Sequence, residues 1–233
     1  MSYRAVSKDP RQIQGMFARI APVYDLLNHV LSLNIDQSWR RYTARCLLRP
    51  TDERVLDVAC GTGDLTKELR RQAPAGCQVS GLDFCLPMLR IAQRKDPAPF
   101  LHGDAMRLPF GEGSFDAMTI AFGLRNVADA GEGLREMLRV LRPGGRLAVL
   151  EFTTPTLPGL RQGYLFYFRH MLPTLGKLVS RSGAYEYLRD SVLEWPEPRA
   201  LARMMHDCGY ERVRFTTKTF GIVALHIGEK PRE

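Results

Sequence analysis

Strands alternating with helices predict an α/β protein: a doubly wound, mainly parallel sheet closed by an antiparallel hairpin. Three observations carry this. Arg54–Val58 reads as a buried strand, and Cys60-Gly61-Thr62-Gly63 as a turn with almost no side-chain bulk. Leu65 and Leu69 then open a helix around Asp64, and strand and helix patterns keep alternating to Phe152. Such alternation implies a parallel sheet with both faces covered. Lastly, Arg212–Thr216 and Ile222–Ile227 are joined through Gly221, too short a link for a crossover, so they pair antiparallel.

The chain has 233 residues, room for one sizeable domain over 1–233. Residues 1–10 are expected to be a polar, loosely held leader. Over 10–48 the apolar pattern is helical and interrupted at Pro22, giving an N-terminal cap expected to lie across the ligand end of the sheet. Trp39-Arg40-Arg41 is expected to begin the helix that leads into the first strand. After the glycine turn come helix 62–72, strand 77–83, helix 86–95, a short strand at 99–102 and a fourth strand at 117–121. Leu134, Met137, Leu138 and Leu141 make a helical stripe stopped by Pro143-Gly144-Gly145. Arg146–Phe152 is a fifth, fully buried strand. Between it and the hairpin, 153–209 is expected to form a helical lid, aromatic in its first half from Tyr164 to Phe168.

Apolar content of 45% and charged content of 25% are those of an ordinary globular protein. The net charge of +8 admits nucleic acid or an anionic membrane as partner, but the cations are scattered, which favours a solvated basic surface. Five cysteines without a C-x-x-C or a paired metal spacing fit a reduced, cytoplasmic protein with no metal. No secretory pattern opens the chain, and no apolar run of about 18 residues is present.

Strand, glycine turn and helix bring a ligand against bare backbone N–H groups, although a plain βα turn also uses G-x-G. Asp83 closes the next strand about twenty residues on, where a ribose diol is usually held. A dinucleotide fingerprint wants a small residue where this chain has Thr66. Asp57 and Asp64 add negative charge near the turn, which would repel a pyrophosphate but suit an ammonium and a sulfonium. The cofactor expected is S-adenosylmethionine. The fold is then a class I SAM-dependent methyltransferase sheet, Rossmann-like and ended by the antiparallel hairpin strand.

Further stretches sharpen this: Phe122-Gly123-Leu124-Arg125-Asn126-Val127, the pattern Tyr24-Asp25, Asn28, Ser32, Trp39-Arg40, and Leu141-Arg142-Pro143-Gly144-Gly145-Arg146-Leu147. Together with the glycine turn they resemble the C-methyltransferases of ubiquinone and menaquinone biosynthesis, over about Met16 to Gly228. The resemblance implies that Thr62 and the Gly61–Gly63 backbone meet the methionine part of the cofactor. It implies that Asp83 takes the ribose hydroxyls, and Asp104 with the Ala105 N–H the adenine edge. Many relatives carry Gly and His near positions 34 and 36, where this chain has Asn34 and Asp36. Some carry a serine at Ala121.

C-methylation of a ring needs a deprotonated hydroxyl to enrich the neighbouring carbon, so the substrate is expected to be a reduced, lipophilic polyprenyl quinol. Demethylmenaquinol leads, with a benzoquinol ubiquinone precursor or another lipophilic acceptor as alternatives. Arg125 is the candidate for oxyanion charge, or else a salt-bridge partner of Asp129 or Asp25. Asn126 is placed on a substrate oxygen or a water, and Tyr24, Asp25 and His29 are candidate pocket groups. Peripheral association with the inner membrane face and a homodimer are further expectations. A nucleic-acid methyltransferase is disfavoured by the lack of a base-pocket motif after the fourth strand and of an RNA-binding module.

Overall fold

In the computed structural model, residues 9–155, 158–166 and 184–232 are described. Seven strands form one sheet: β1 (Arg54–Val58), β2 (Gln78–Asp83), β3 (Phe100–His102), β4 (Phe115–Ala121), β5 (Leu141–Phe152), β6 (Glu211–Lys218) and β7 (Val223–Glu229). Their order is β3-β2-β1-β4-β5-β7-β6, parallel except for β7, which runs antiparallel to both β5 and β6. β1 and β4 are parallel neighbours, but successive strands are added to one side from β1 and to the other side from β4, so a crevice opens at the carboxyl ends of those two strands.

The cap comprises α1 (Pro10–Ile20), a 3-10 turn (Ala21–Val23), α2 (Tyr24–Leu31) and α3 (Ile35–Leu47). Asp9 caps α1 by accepting from the Arg11 N–H, with Pro10 at the first position. α3 starts at Ile35, four residues before the Trp39 start expected from sequence, after Leu33 and Asn34 turn the chain at φ 51° and 60°. Asn tolerates this left-handed backbone better than most residues.

On one face of the sheet α4 (Asp64–Gln72) packs with α3, burying Leu65 and Leu69 beside Trp39, Leu47 and Val55. On the other, α6 (Ala130–Val140) buries Leu134, Met137 and Val140. α5 (Leu86–Lys95) buries Met88 and Leu89 and touches α1. α6 ends at Val140, and Pro143-Gly144-Gly145 lies within β5 rather than after a helix. There the chain loops out, so pairing with β4 jumps from Leu141 to Arg146, with Gly144 at φ 74°.

Of the segment 153–209, the described helices are α7 (Pro158–Phe166), α8 (Ala184–Leu193) and α9 (Pro198–Asp207). α9 belongs to the sheet: Leu201 and Met205 lie in the same core as Leu134, Met137 and Tyr210. Most of the aromatic run 164–168 falls outside the residues whose side chains are described. Tyr164 itself is buried with Val192 against Phe152, Leu188 and Ile222. Among the described residues no helix is long and apolar enough to cross a membrane, and no group of metal-ligating side chains occurs.

Candidate active site

β1 delivers the chain to a turn that only small residues could make. Ala59, Gly61 and Gly63 all have positive φ, at 51°, 57° and 82°. A Cβ on Gly63 would stand 3.0 Å from Phe100 and 3.1 Å from Ala92. The turn is anchored from β2: the Asp83 carboxylate accepts from the Gly61 N–H at 2.8 Å and from the Cys85 N–H at 2.7 Å. Burial pushes the Asp83 carboxyl up from the usual carboxylate range, against the pull of those backbone donors.

Asp57 does not reach the ligand side. Its side chain is buried, and its two oxygens accept from the Thr119 hydroxyl at 2.6 Å and the Thr66 hydroxyl at 2.7 Å. Burial raises its carboxyl to about 6 despite those two donors. The residue that breaks the dinucleotide fingerprint, Thr66, therefore solvates a buried acid beneath the turn.

Thr62 is also turned inward. It donates to Asp25, which pairs with Lys95 at 2.7 Å; Lys95 also binds Asp64. His29 sits 3.1 Å from Asp36 and 3.9 Å from Asp64, and Asp36 is further held by Ser32 and Arg40. This chain of charges fastens α2 to the first turn of α4 and the end of α5. Asp25 thus binds the cofactor turn through Thr62 and lies outside the cleft.

The cleft runs over the carboxyl ends of β1, β2 and β4, roofed by Pro10, Phe17 and Tyr24 of the cap. Asp83, Gly103, Asp104 and Ala105 line one end; Ala121, Gly123 and Asn126 line the other, with Phe84, Met88 and Val127 as apolar wall. Asp104 and Asp83 are the only charged residues among its described lining, and no Lys or Arg is present there. A pyrophosphate would find no counter-charge. An adenosine with a cationic methionine tail fits the small-residue floor, the acid at the end of β2 and the apolar wall.

At the Asn126 end of the cleft, the 3-10 turn Leu124–Asn126 follows β4. Arg125 is buried and its partner is neither Asp129 nor Asp25. It is Glu151 at the end of β5, at 2.7 Å, with a second bond to the Phe122 carbonyl at 2.8 Å. The guanidinium lies 5.4 Å from the centre of the Phe152 ring. Arg125 does not line the cleft; Asn126 does. The Asn126 amide donates to the Phe122 carbonyl at 3.2 Å and accepts from the Tyr187 hydroxyl of α8 at 3.0 Å. Burial pushes the Tyr24 and Tyr187 phenols up from 10, so both stay protonated donors at neutral pH.

Sequence reasoning missed Glu151, Tyr187 and Lys95. Glu151 carried a signal, since a carboxylate inside a buried strand must find a partner. Tyr187 carried none, because only the fold brings α8 to the end of β4.

The chain matches the ubiE/COQ5 methyltransferase family over residues 4–230. It is 50% identical to the demethylmenaquinone methyltransferase of Deinococcus radiodurans, over 94% of this chain and 92% of that one. To the demethylmenaquinone methyltransferase of Thermus thermophilus it is 49% identical, over 93% of this chain and all of that one. Among solved structures, a SAM-dependent methyltransferase from Thermotoga maritima superposes with a TM-score of 0.65 at 19% identity, covering 93% of this chain and 98% of that one. At that identity the likeness speaks for the fold.

Proposed function

The chain belongs to the ubiE/COQ5 methyltransferase family, and from that premise we propose the substrate and the residue roles in its S-adenosylmethionine-dependent C-methylation. The acceptor is demethylmenaquinol, the reduced form of the demethylmenaquinone named in its relatives at 49–50% identity. The observation that carries the cofactor's placement is the cleft itself, whose described lining holds no cation and bears Asp83 at the end of β2.

Asp83 holds the ribose hydroxyls with the oxygen lone pairs not used by Gly61 and Cys85, and Asp104 with the Ala105 N–H holds the adenine edge. The Gly61–Gly63 backbone receives the methionine part. When bound, S-adenosylmethionine supplies a methyl group made electrophilic by a positive sulfur, and most of the protein's contribution is alignment. Asn126 and Tyr24 face the quinol. Tyr24, kept protonated by burial, donates to a quinol oxygen as charge builds on it. Arg125 acts beside them: paired with Glu151, it fixes the turn that carries Asn126. Asp25 and Asp57 support the cofactor turn from beneath, through Thr62 and Thr66.

The test is a methylation assay on one naphthoquinone in two redox states. The reduced quinol is expected to gain a methyl and the oxidised quinone none, since only the quinol can form a phenolate. Equal turnover of both forms would remove the phenolate role assigned to this site.

A further inference from the structure

Large apolar side chains left in solvent are not spread over this protein. Of the six exposed ones among the described residues, only Phe215 lies away from the ligand end of the sheet. Leu26 is on α2 in the cap, Leu33 and Ile35 lie where α2 meets α3, Leu86 opens α5 just past β2, and Phe220 lies between β6 and β7. The two most exposed are Leu33 at 80% and Phe220 at 75%. Both occupy left-handed backbone, at φ 51° and 57°, beside the equally left-handed Asn34 and Thr219. Bulky side chains rarely adopt this conformation, and strained turns of this kind gather at functional surfaces.

The two turns are joined through one helix. Ile35 stands one helical turn before Trp39, and the Trp39 indole N–H donates to the Thr219 hydroxyl at 2.8 Å. The charge around them is positive. Arg41 is exposed on α3 with its side chain folded back to the Gln37 carbonyl, and Lys218, over the Tyr42 ring, precedes the second turn, whereas Asp36, the acid of α3, is buried and paired.

We propose that the turns 33–35 and 219–221 form a docking edge for an anionic phospholipid surface, which presents the mouth of the cleft to the bilayer. Apolar side chains on two adjacent turns enter the boundary between headgroups and acyl chains, while the flanking cations meet anionic headgroups. The inference rests on the reading that the acceptor carries a prenyl tail, because such a quinol resides in the bilayer and has to be collected there.

Asparagine suits left-handed backbone, so Leu33→Asn and Phe220→Asn remove the apolar tips without adding strain. The full chain is sedimented with vesicles of phosphatidylglycerol and phosphatidylcholine, and with phosphatidylcholine alone. Retention on the anionic vesicles is expected, to fall with added salt, and to drop at least tenfold in the double variant while its melting temperature holds or rises. Unchanged retention in that variant overturns the proposal. So does a dimer in sedimentation velocity that becomes a monomer in the variant with no change in vesicle binding, which would make this edge a contact between copies. Turnover of a tail-less quinol in solution is measured alongside. It is expected to be equal in wild type and variant, and its absence in both would count against the substrate reading, independently of the vesicle result.

Discussion

At the scale of single residues, the account turns on how the protein treats buried charge. Asp57 is held with a carboxyl at about 6. The native state therefore binds its proton more tightly than the unfolded chain does. Its contribution to stability is fully present below about 4, the ordinary aspartate range, and is lost as pH rises to about 6. Asp57→Asn should flatten that part of the pH dependence in urea melts, and an unchanged slope between those pH values would contradict the assignment. Arg125 and Glu151 form a pair with hardly any solvent contact, so Arg125→Ala strands a carboxylate and should cost about 3–5 kcal/mol. If the folded fraction of that variant still turns over normally, Arg125 is purely structural; a loss of about 100-fold or more in kcat would mark its charge as part of transition-state stabilisation. Asp83→Asn should weaken cofactor binding at least tenfold by calorimetry, since charge-bearing hydrogen bonds are worth about 1.5–3 kcal/mol. The positions of Asp83, Gly61 and Gly63, at a strand end and in the turn beside it, were legible because their spacing follows from the βα turn. The sequence did not separate Asp57 and Asp25 from the ligand, because charge near a turn does not show which way a carboxylate points.

At the scale of elements, the alternation of strand and helix was readable from period alone, and helix 86–95 agrees with its observed bounds. Two readings needed the fold. Pro143-Gly144-Gly145 stops helices, but a bulge within β5 uses the same residues. Leu201, Met205 and Cys208 at helical spacing are the mark of a core-facing helix, and they place α9 on the sheet rather than in the insert. What remains over the Asn126 end of the cleft is α8, which reaches that residue through Tyr187. Tyr187→Phe removes one hydrogen bond worth about 0.5–1.5 kcal/mol. It should lower kcat/KM for the quinol about 2–10-fold and leave cofactor affinity unchanged. A loss of cofactor affinity instead would put α8 over the adenosine end.

At the scale of the whole molecule, the switch in strand order between β1 and β4 fixes a crevice, and the cap supplies its roof. Ligand that binds only this closed arrangement stabilises it by mass action. S-adenosylmethionine at about 100 times its Kd adds about 2.7 kcal/mol, which for a chain of this size raises Tm by about 5–10 °C. NAD should raise it by nothing measurable, because no cation lines the cleft among the described residues. The central claim is that the acceptor is a quinol ring carbon. It is tested most directly by incubating the purified chain with demethylmenaquinol and S-adenosylmethionine carrying a trideuterated methyl, then reading the product by mass spectrometry and NMR. The account predicts a menaquinol bearing the labelled methyl on a ring carbon. A labelled methyl ether on oxygen, or an unlabelled quinol after full incubation with a folded, cofactor-binding protein, would contradict it.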